Sequence, residues 1–217
     1  MLMWARKEGC PWIEWTFVKG AAGGNLALLK WAKENGCPMQ PWQDIASLYA
    51  AENGHLEVLK WLREEEGLTF PSTICSRAAK HGHLEVLKWL RDEVRQVWDR
   101  RTFSGAARIG HFEMLKWLRE EKCPWDDTTT RCAARGGHLE ALKWLSKEGC
   151  PWNPLTFSAA AKGGSMEMLM WLKQEECPMS SLACEAAANK GNLEHHNCNN
   201  RWQYKILAVV EGKWGSI

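Results

Sequence analysis

The phrase Gly-His-Leu-Glu-x-Leu-Lys-Trp-Leu occupies residues 54–62, 82–90 and 137–145, and returns with Phe112 as its only change at 110–118. Looser copies run over 24–32 and 164–172, and Leu2, Met3, Trp4 and Ala5 match the end of another. A chain that repeats itself at a short, near-constant interval folds as a stack of like units, not around one central core. The tryptophans Trp4, Trp31, Trp61, Trp89, Trp117, Trp144 and Trp171 mark one position of the repeat. They account for seven of the fifteen tryptophans, a number otherwise out of balance with two tyrosines and five phenylalanines.

Each phrase reads as a helix. Leu84, Leu87 and Leu90, with Val86 and Trp89, form an apolar stripe at i, i+3 and i+4 spacing. The residue before it is Asn25, His55, His83, His111, His138, Ser165 or Asn192, and Asn or Ser there can cap a helix start. An acidic residue two positions on (Glu57, Glu85, Glu113, Glu140, Glu167) suits the positive end of the helix dipole. Gly9, Gly36 and Gly149, with Pro11, Pro38 and Pro151 close behind, are helix-stop signals. Upstream of each phrase lies a shorter segment with paired small residues, such as Ala106-Ala107, Ala133-Ala134 and Ala160-Ala161, suited to a first helix packed closely on its neighbours. One repeat is therefore helix, tight turn, helix, proline-containing loop.

The segment Ala133-Ala134-Arg135-Gly136-Gly137-His138-Leu139-Glu140-Ala141-Leu142-Lys143 resembles the core of the ankyrin repeat, and the resemblance extends over residues 2–194. It implies an all-α helical repeat solenoid of stacked antiparallel helix pairs, which in that family usually binds proteins on its concave, first-helix face. These repeats run mostly 27 or 28 residues, not about 33, and lack the T-P-L-H phrase. The β-hairpin fingers are therefore expected to be shortened or absent, as in the short, Trp-rich ankyrin arrays of protists and large viruses that the chain resembles. Six complete pairs are expected between the second helices ending near Trp4 and Trp171. Residues 195–217 form an atypical tail. The array starts inside a second helix and breaks after Glu194, which predicts a fragment or a misread 3′ end.

Composition narrows the chemistry. A net charge of +2 does not by itself point to nucleic acid or a membrane surface. No stretch approaches the ~20 apolar residues that span a bilayer, and Met1 leads into Trp4, Arg6 and Lys7 instead of a signal-peptide apolar run, so the protein reads as intracellular and cytoplasmic. Cys123, Cys150 and Cys177 recur at 27-residue intervals without any C-x-x-C pair, as reduced structural thiols would. The His81/His83 pair and the His195-His196-Cys198 cluster lack the second half of a metal site, so no metal or cofactor is expected. No nucleophile elbow, zinc-protease motif or phosphate loop is present, and the chain reads as non-catalytic.

Function is expected on the surface. Glu57/Lys60, Glu85/Lys88, Glu113/Lys116 and Glu140/Lys143 form self-neutralising pairs. Lys80, Arg108, Arg135 and Lys162 are different: they follow the paired alanines in four successive repeats and would align as a basic stripe at the ends of the first helices. They complement the negative helix ends or meet an acidic partner protein. Positions that vary between repeats, namely Glu14, Gln43, Ser76, Arg100, Arg101, Asp127, Arg131, Ser158 and Glu185, are candidates for specificity. The expected function is a monomeric protein-interaction scaffold, with Lys80, Arg101, Arg108, Arg131, Arg135 and Lys162 at the partner face. The alternative is nucleic-acid binding through the stripe and exposed tryptophans.

Overall fold

A computed structural model describes residues 2–13 and 15–178. Glu14, Glu185, Asn192 and the 195–217 tail lie outside the described residues. Thirteen α-helices and no strand occur among the described residues, an all-α repeat fold in which the hairpin fingers are absent. After α1 (Leu2–Lys7), six helix pairs follow in order. They are α2 (Trp15–Ala22) with α3 (Leu26–Glu34), α4 (Gln43–Glu52) with α5 (Leu56–Glu64), and α6 (Ile74–Lys80) with α7 (Leu84–Asp92). Then come α8 (Arg100–Ile109) with α9 (Phe112–Glu120), α10 (Asp127–Gly136) with α11 (Leu139–Lys147), and α12 (Thr156–Gly163) with α13 (Met166–Gln174). The chain divides into two compact units at Trp98 and Asp99.

Within each unit the first helices pack directly on one another: α2 on α4 and α4 on α6 in unit 1, α8 on α10 and α10 on α12 in unit 2. The reason is steric. Ala78, Ala79, Ala106, Ala107, Ala133, Ala134, Ala160 and Ala161 are all fully buried, and a methyl group is the largest side chain that so close an approach accepts. The first helices also bury Phe17, Phe103 and Phe157, and the second helices bury Leu59, Leu62, Leu87, Leu90, Leu115, Leu118, Leu142 and Leu145. Each such leucine stabilises the stack by roughly 1.5–3 kcal/mol relative to exposure.

The helix ends follow the sequence in part. Asn25 and Ser165 accept from the backbone N–H three residues on, as N-caps do. His111 does the same through Nδ1. His55, His83 and His138 do not cap their own helices. Instead each Nε2–H donates to a carbonyl at the end of the preceding first helix: Ala22 at 2.9 Å, Glu52 at 2.8 Å and Arg108 at 3.1 Å. These carbonyls belong to the last turn, where helix partners run out, so the imidazole satisfies an acceptor that the helix itself leaves open. The ring lies so close to the preceding repeat that a Cβ at Gly110 would sit 2.4 Å from His138 Nδ1, and Gly110 has φ +69°. The glycine of the repeated phrase thus serves the next repeat as well as its own turn.

The cysteines are structural. Among the described cysteines, Cys37, Cys75, Cys123, Cys150 and Cys177 are buried. Cys150 Sγ–H points to the Asp126 carbonyl at 3.5 Å, and Cys123 to that of Asp99 at 3.8 Å, so the thiols after α9 and α11 tie down the starts of α8 and α10. Burial, followed by the charge of Asp126, pushes the Cys150 thiol up to about 12. Burial lifts Cys177 to about 11.

Candidate functional site

In unit 2 the first helices share one register. The apolar face of α8 buries Thr102, Phe103, Ala106 and Ala107, and that of α10 buries Thr129, Thr130, Ala133 and Ala134. The positions left outward on α8 are Arg101, Ser104, Gly105 and Arg108. On α10 they are Thr128, Arg131, Cys132 and Arg135. On α12 only Lys162 is fully exposed, while Ser158 and Ala159 are 6% exposed. The outward residues of α8 and α10 recur at i, i+3 and i+7, which holds them to one face of each helix.

Arg108, Arg135 and Lys162 occupy the last turns of α8, α10 and α12. A Cβ at Gly136 would lie 2.2 Å from the Arg108 carbonyl, and one at Gly163 would lie 3.6 Å from that of Arg135. The three helix ends are therefore stacked neighbours, and the cations follow one another along the stack. None of the three forms an ion pair among the described residues. Arg131 sits beside them. Burial raises the Cys132 thiol, while the charges of Arg131, Arg108 and Arg135 all pull it down, so one half-buried sulfur feels three guanidiniums at once. Arg101 is 71% exposed and reaches Asp99 only at 3.9 Å. Nearby carboxylates are otherwise engaged: Asp126 pairs with Arg100 at 3.3 Å, and Asp127 accepts from Asn153 Nδ2 at 2.8 Å.

Unit 1 handles the same position differently. Lys80 ends α6 and is exposed. One repeat earlier the position is Glu52, whose carboxylate binds Arg77 at 2.6 Å and His81 Nε2 at 3.6 Å. His81 and His83 are thereby both committed to Glu52, the first to its side chain and the second to its carbonyl. No group of three or more metal-ligating side chains occurs among the described residues. A groove of about 510 Å³ lies between α5 and α7, lined by Lys60, Arg63, Glu64, Trp89, Glu93 and Val94. Its charged side chains are two cations and two carboxylates. Glu52 was not singled out from the sequence, although the Ala50-Ala51-Glu52 alignment was the signal that could have found it.

The tryptophans are engaged in the fold. Trp61 and Trp98 are buried, and Trp31, Trp89, Trp117, Trp144 and Trp171 are half-buried. Ring pairs include Trp12–Trp31, Trp152–Trp171 and Phe112–Trp144 at centroid distances of 5.8, 6.0 and 5.7 Å. Arginines lie over Trp12, Trp98 and Trp125, at 4.6, 4.5 and 4.1 Å from the ring centroids. Trp4 and Trp15 are the exposed ones among the described residues, and neither is in unit 2. The four sequence-expected charge pairs on the second helices all form, with N···O distances of 2.9 to 3.6 Å.

This geometry defines a class, the all-α helical repeat solenoid. Comparison with known proteins gives its type. Residues 75–119 match the family described as ankyrin repeats (many copies). The crystal structure of the human ASB11 ankyrin repeat domain is similar over 89% of this chain and 97% of that one, with a TM-score of 0.59 and 16% identity. The pentatricopeptide repeat protein PPR10, in complex with an 18-nt psaJ RNA element, aligns with 98% of this chain and 36% of its own at a TM-score of 0.42 and 14% identity. No curated protein matches the chain. The fold is thus of the ankyrin-repeat type. No described helix is long and apolar enough to cross a membrane.

Proposed function

We propose that the chain is a non-catalytic scaffold that binds a partner protein along the first-helix face of unit 2. The observation that carries this reading is the run of Arg108, Arg135 and Lys162 on three stacked helix ends, exposed and without ion pairs among the described residues, with Arg101 and Arg131 on the same face. Unpaired guanidiniums on a rigid platform are poised for charge-assisted hydrogen bonds to carboxylates. The protein reading is favoured over nucleic acid because no aromatic ring lies among the outward residues of this face. Base stacking needs one. Lys80, in unit 1, is not needed for the site.

A photo-crosslinking amino acid placed at Ser104, with a second placement at Glu113 on the opposite, second-helix side, tests this. Irradiation in native lysate should give discrete protein adducts from Ser104 and few from Glu113. Equal adducts from both positions, or adducts from Ser104 that nuclease removes, would overturn it.

A further inference from the structure

We infer that the partner presents to this face an acidic segment in the polyproline II conformation, with a carboxylate at every third residue. This rests on the scaffold reading above and specifies its ligand. The argument is one of matching repeats. Arg108, Arg135 and Lys162 step from one first helix to the next, and packed helices lie roughly 8–10 Å apart. Polyproline II has three residues per turn and a rise of 3.1 Å, so side chains at i, i+3 and i+6 point the same way at intervals of about 9.3 Å. A β-strand presents like-facing side chains at about 6.8 or 13.6 Å, both out of step. An α-helix offers i, i+7 at about 10.5 Å, and its overshoot grows at every step along the stack.

The floor of the face suits a thin extended chain. On α8 and α10 the partly exposed residues beside the cations include Ser104, Gly105 and Cys132, none larger than a thiol, so a peptide backbone can come near enough for the guanidiniums to close on its carboxylates. Arg131 lies beside the line, within the field of the same half-buried Cys132 sulfur as Arg108 and Arg135. It would hold the central carboxylate from the side. Two arginines and a lysine in the main row favour carboxylates on a planar, forked geometry, which arginine binds bidentately. A polyproline II segment carries no internal hydrogen bonds and loses little conformational freedom on docking, so the ordering cost of binding is small.

The test is fluorescence anisotropy with the full chain and three labelled peptides of equal net charge. The first repeats Glu-Pro-Pro and carries three glutamates, the second clusters its three glutamates within a Pro-rich frame, and the third is an Ala-rich helix with glutamates at i, i+7 and i+14. The Glu-Pro-Pro peptide should bind about tenfold or more tightly than either competitor, a difference of the size that charge placement, not charge content, produces. Arg108→Glu with Arg135→Glu should weaken it about a hundredfold, while Lys147→Glu on α11 leaves it unchanged. Circular dichroism establishes that the variants keep their helices. Equal binding of spaced and clustered peptides, preference for the helix, loss with Lys147→Glu, or displacement by a single-stranded oligonucleotide in place of free Glu-Pro-Pro peptide would each overturn the inference. Because the crosslinking experiment reads protein adducts whatever their conformation, it can succeed where this one fails.

Discussion

Within the shared repeat, α4 of unit 1 and the first helices of unit 2 finish with opposite charge logic. In unit 1, α4 ends on Glu52, a carboxylate at the negative end of a helix dipole, and the cost is offset by Arg77 and His81. In unit 2, α8, α10 and α12 carry Arg108, Arg135 and Lys162 in their last turns, which already suit the dipole and pair with no carboxylate among the described residues. The backbone at both places is the same, down to the imidazole that donates to the stripe residue's own carbonyl, Glu52 in one unit and Arg108 in the other. Since the fold accepts either sign there, stacking does not dictate the cations of unit 2. Compensating a dipole is worth about 0.3–1 kcal/mol and requires one charge per helix, not a further arginine at 131 beside them.

The comparison can be sharpened first through the thiols, where the largest effect is expected. At pH 8.5 Cys150 should alkylate about a thousandfold more slowly in the native protein than in the unfolded chain, three pH units separating the usual value of 9.0 from about 12. Peptide-resolved mass spectrometry of the native and the unfolded protein measures it, and comparable rates would show that unit 2 opens readily. The sign for stability follows. Cys150 and Cys177 have folded values above the unfolded one, so their contribution is full below about pH 9 and is lost as pH rises through 11 to 12. Alkaline unfolding should therefore begin in unit 2.

A second test probes what the units share. Gly54→Ala and Gly110→Ala would each force a Cβ against an imidazole, His83 Nδ1 at 2.5 Å and His138 Nδ1 at 2.4 Å, at backbone φ values of +76° and +69°. Each should cost about 2–4 kcal/mol, combining left-handed strain with the lost hydrogen bond to the preceding helix end. Chemical denaturation should show similar losses for both. A loss in one unit alone would mean that the histidine joint is not the common fastening.

Much of this was legible in advance, and the limits have a physical cause. Helix pairs, buried leucines and the glycine stops follow from periodicity and backbone conformation, which are local. The role of His138 is not local: its partner is 30 residues away, and the repeated phrase alone does not decide whether the ring caps its own helix, as His111 does, or reaches back. The stripe was readable as a repeated sequence position, but its isolation from carboxylates was not. That depends on Asp126 and Asp127 finding Arg100 and Asn153. The tryptophans, read as packing residues or stacking platforms, are resolved by the arginines and rings that cover them.

Position 122 offers a smaller effect in unit 2. Lys122 holds φ +56° at the place where Gly149 holds +80° one repeat later. Nothing lies within 4 Å of a Cβ at Gly149, so the site selects for backbone conformation alone. Lys122→Gly should stabilise by about 1 kcal/mol, and Gly149→Lys should cost about the same. Thermal or denaturant unfolding decides, and a destabilising Lys122→Gly would mean that this lysine makes an interaction worth more than its strain.

The smallest effect bears most directly on the difference between the units. Glu52→Lys brings a cation to the end of α4, favourable for the dipole, but leaves it facing Arg77 and His81 without a carboxylate. Because Arg77 is 46% exposed, solvent screens much of the repulsion, and the net loss should be about 0.5–1 kcal/mol. Arg108→Gln, which removes a cation with no ion pair among the described residues, should cost under about 0.5 kcal/mol. Adding Arg77→Ala to Glu52→Lys should recover most of the loss, because it leaves unit 1 with the arrangement that unit 2 has naturally. If Arg108→Gln proves the more costly change, the cations of unit 2 are fastening the fold, and the reasoning that assigns them to a partner loses its premise.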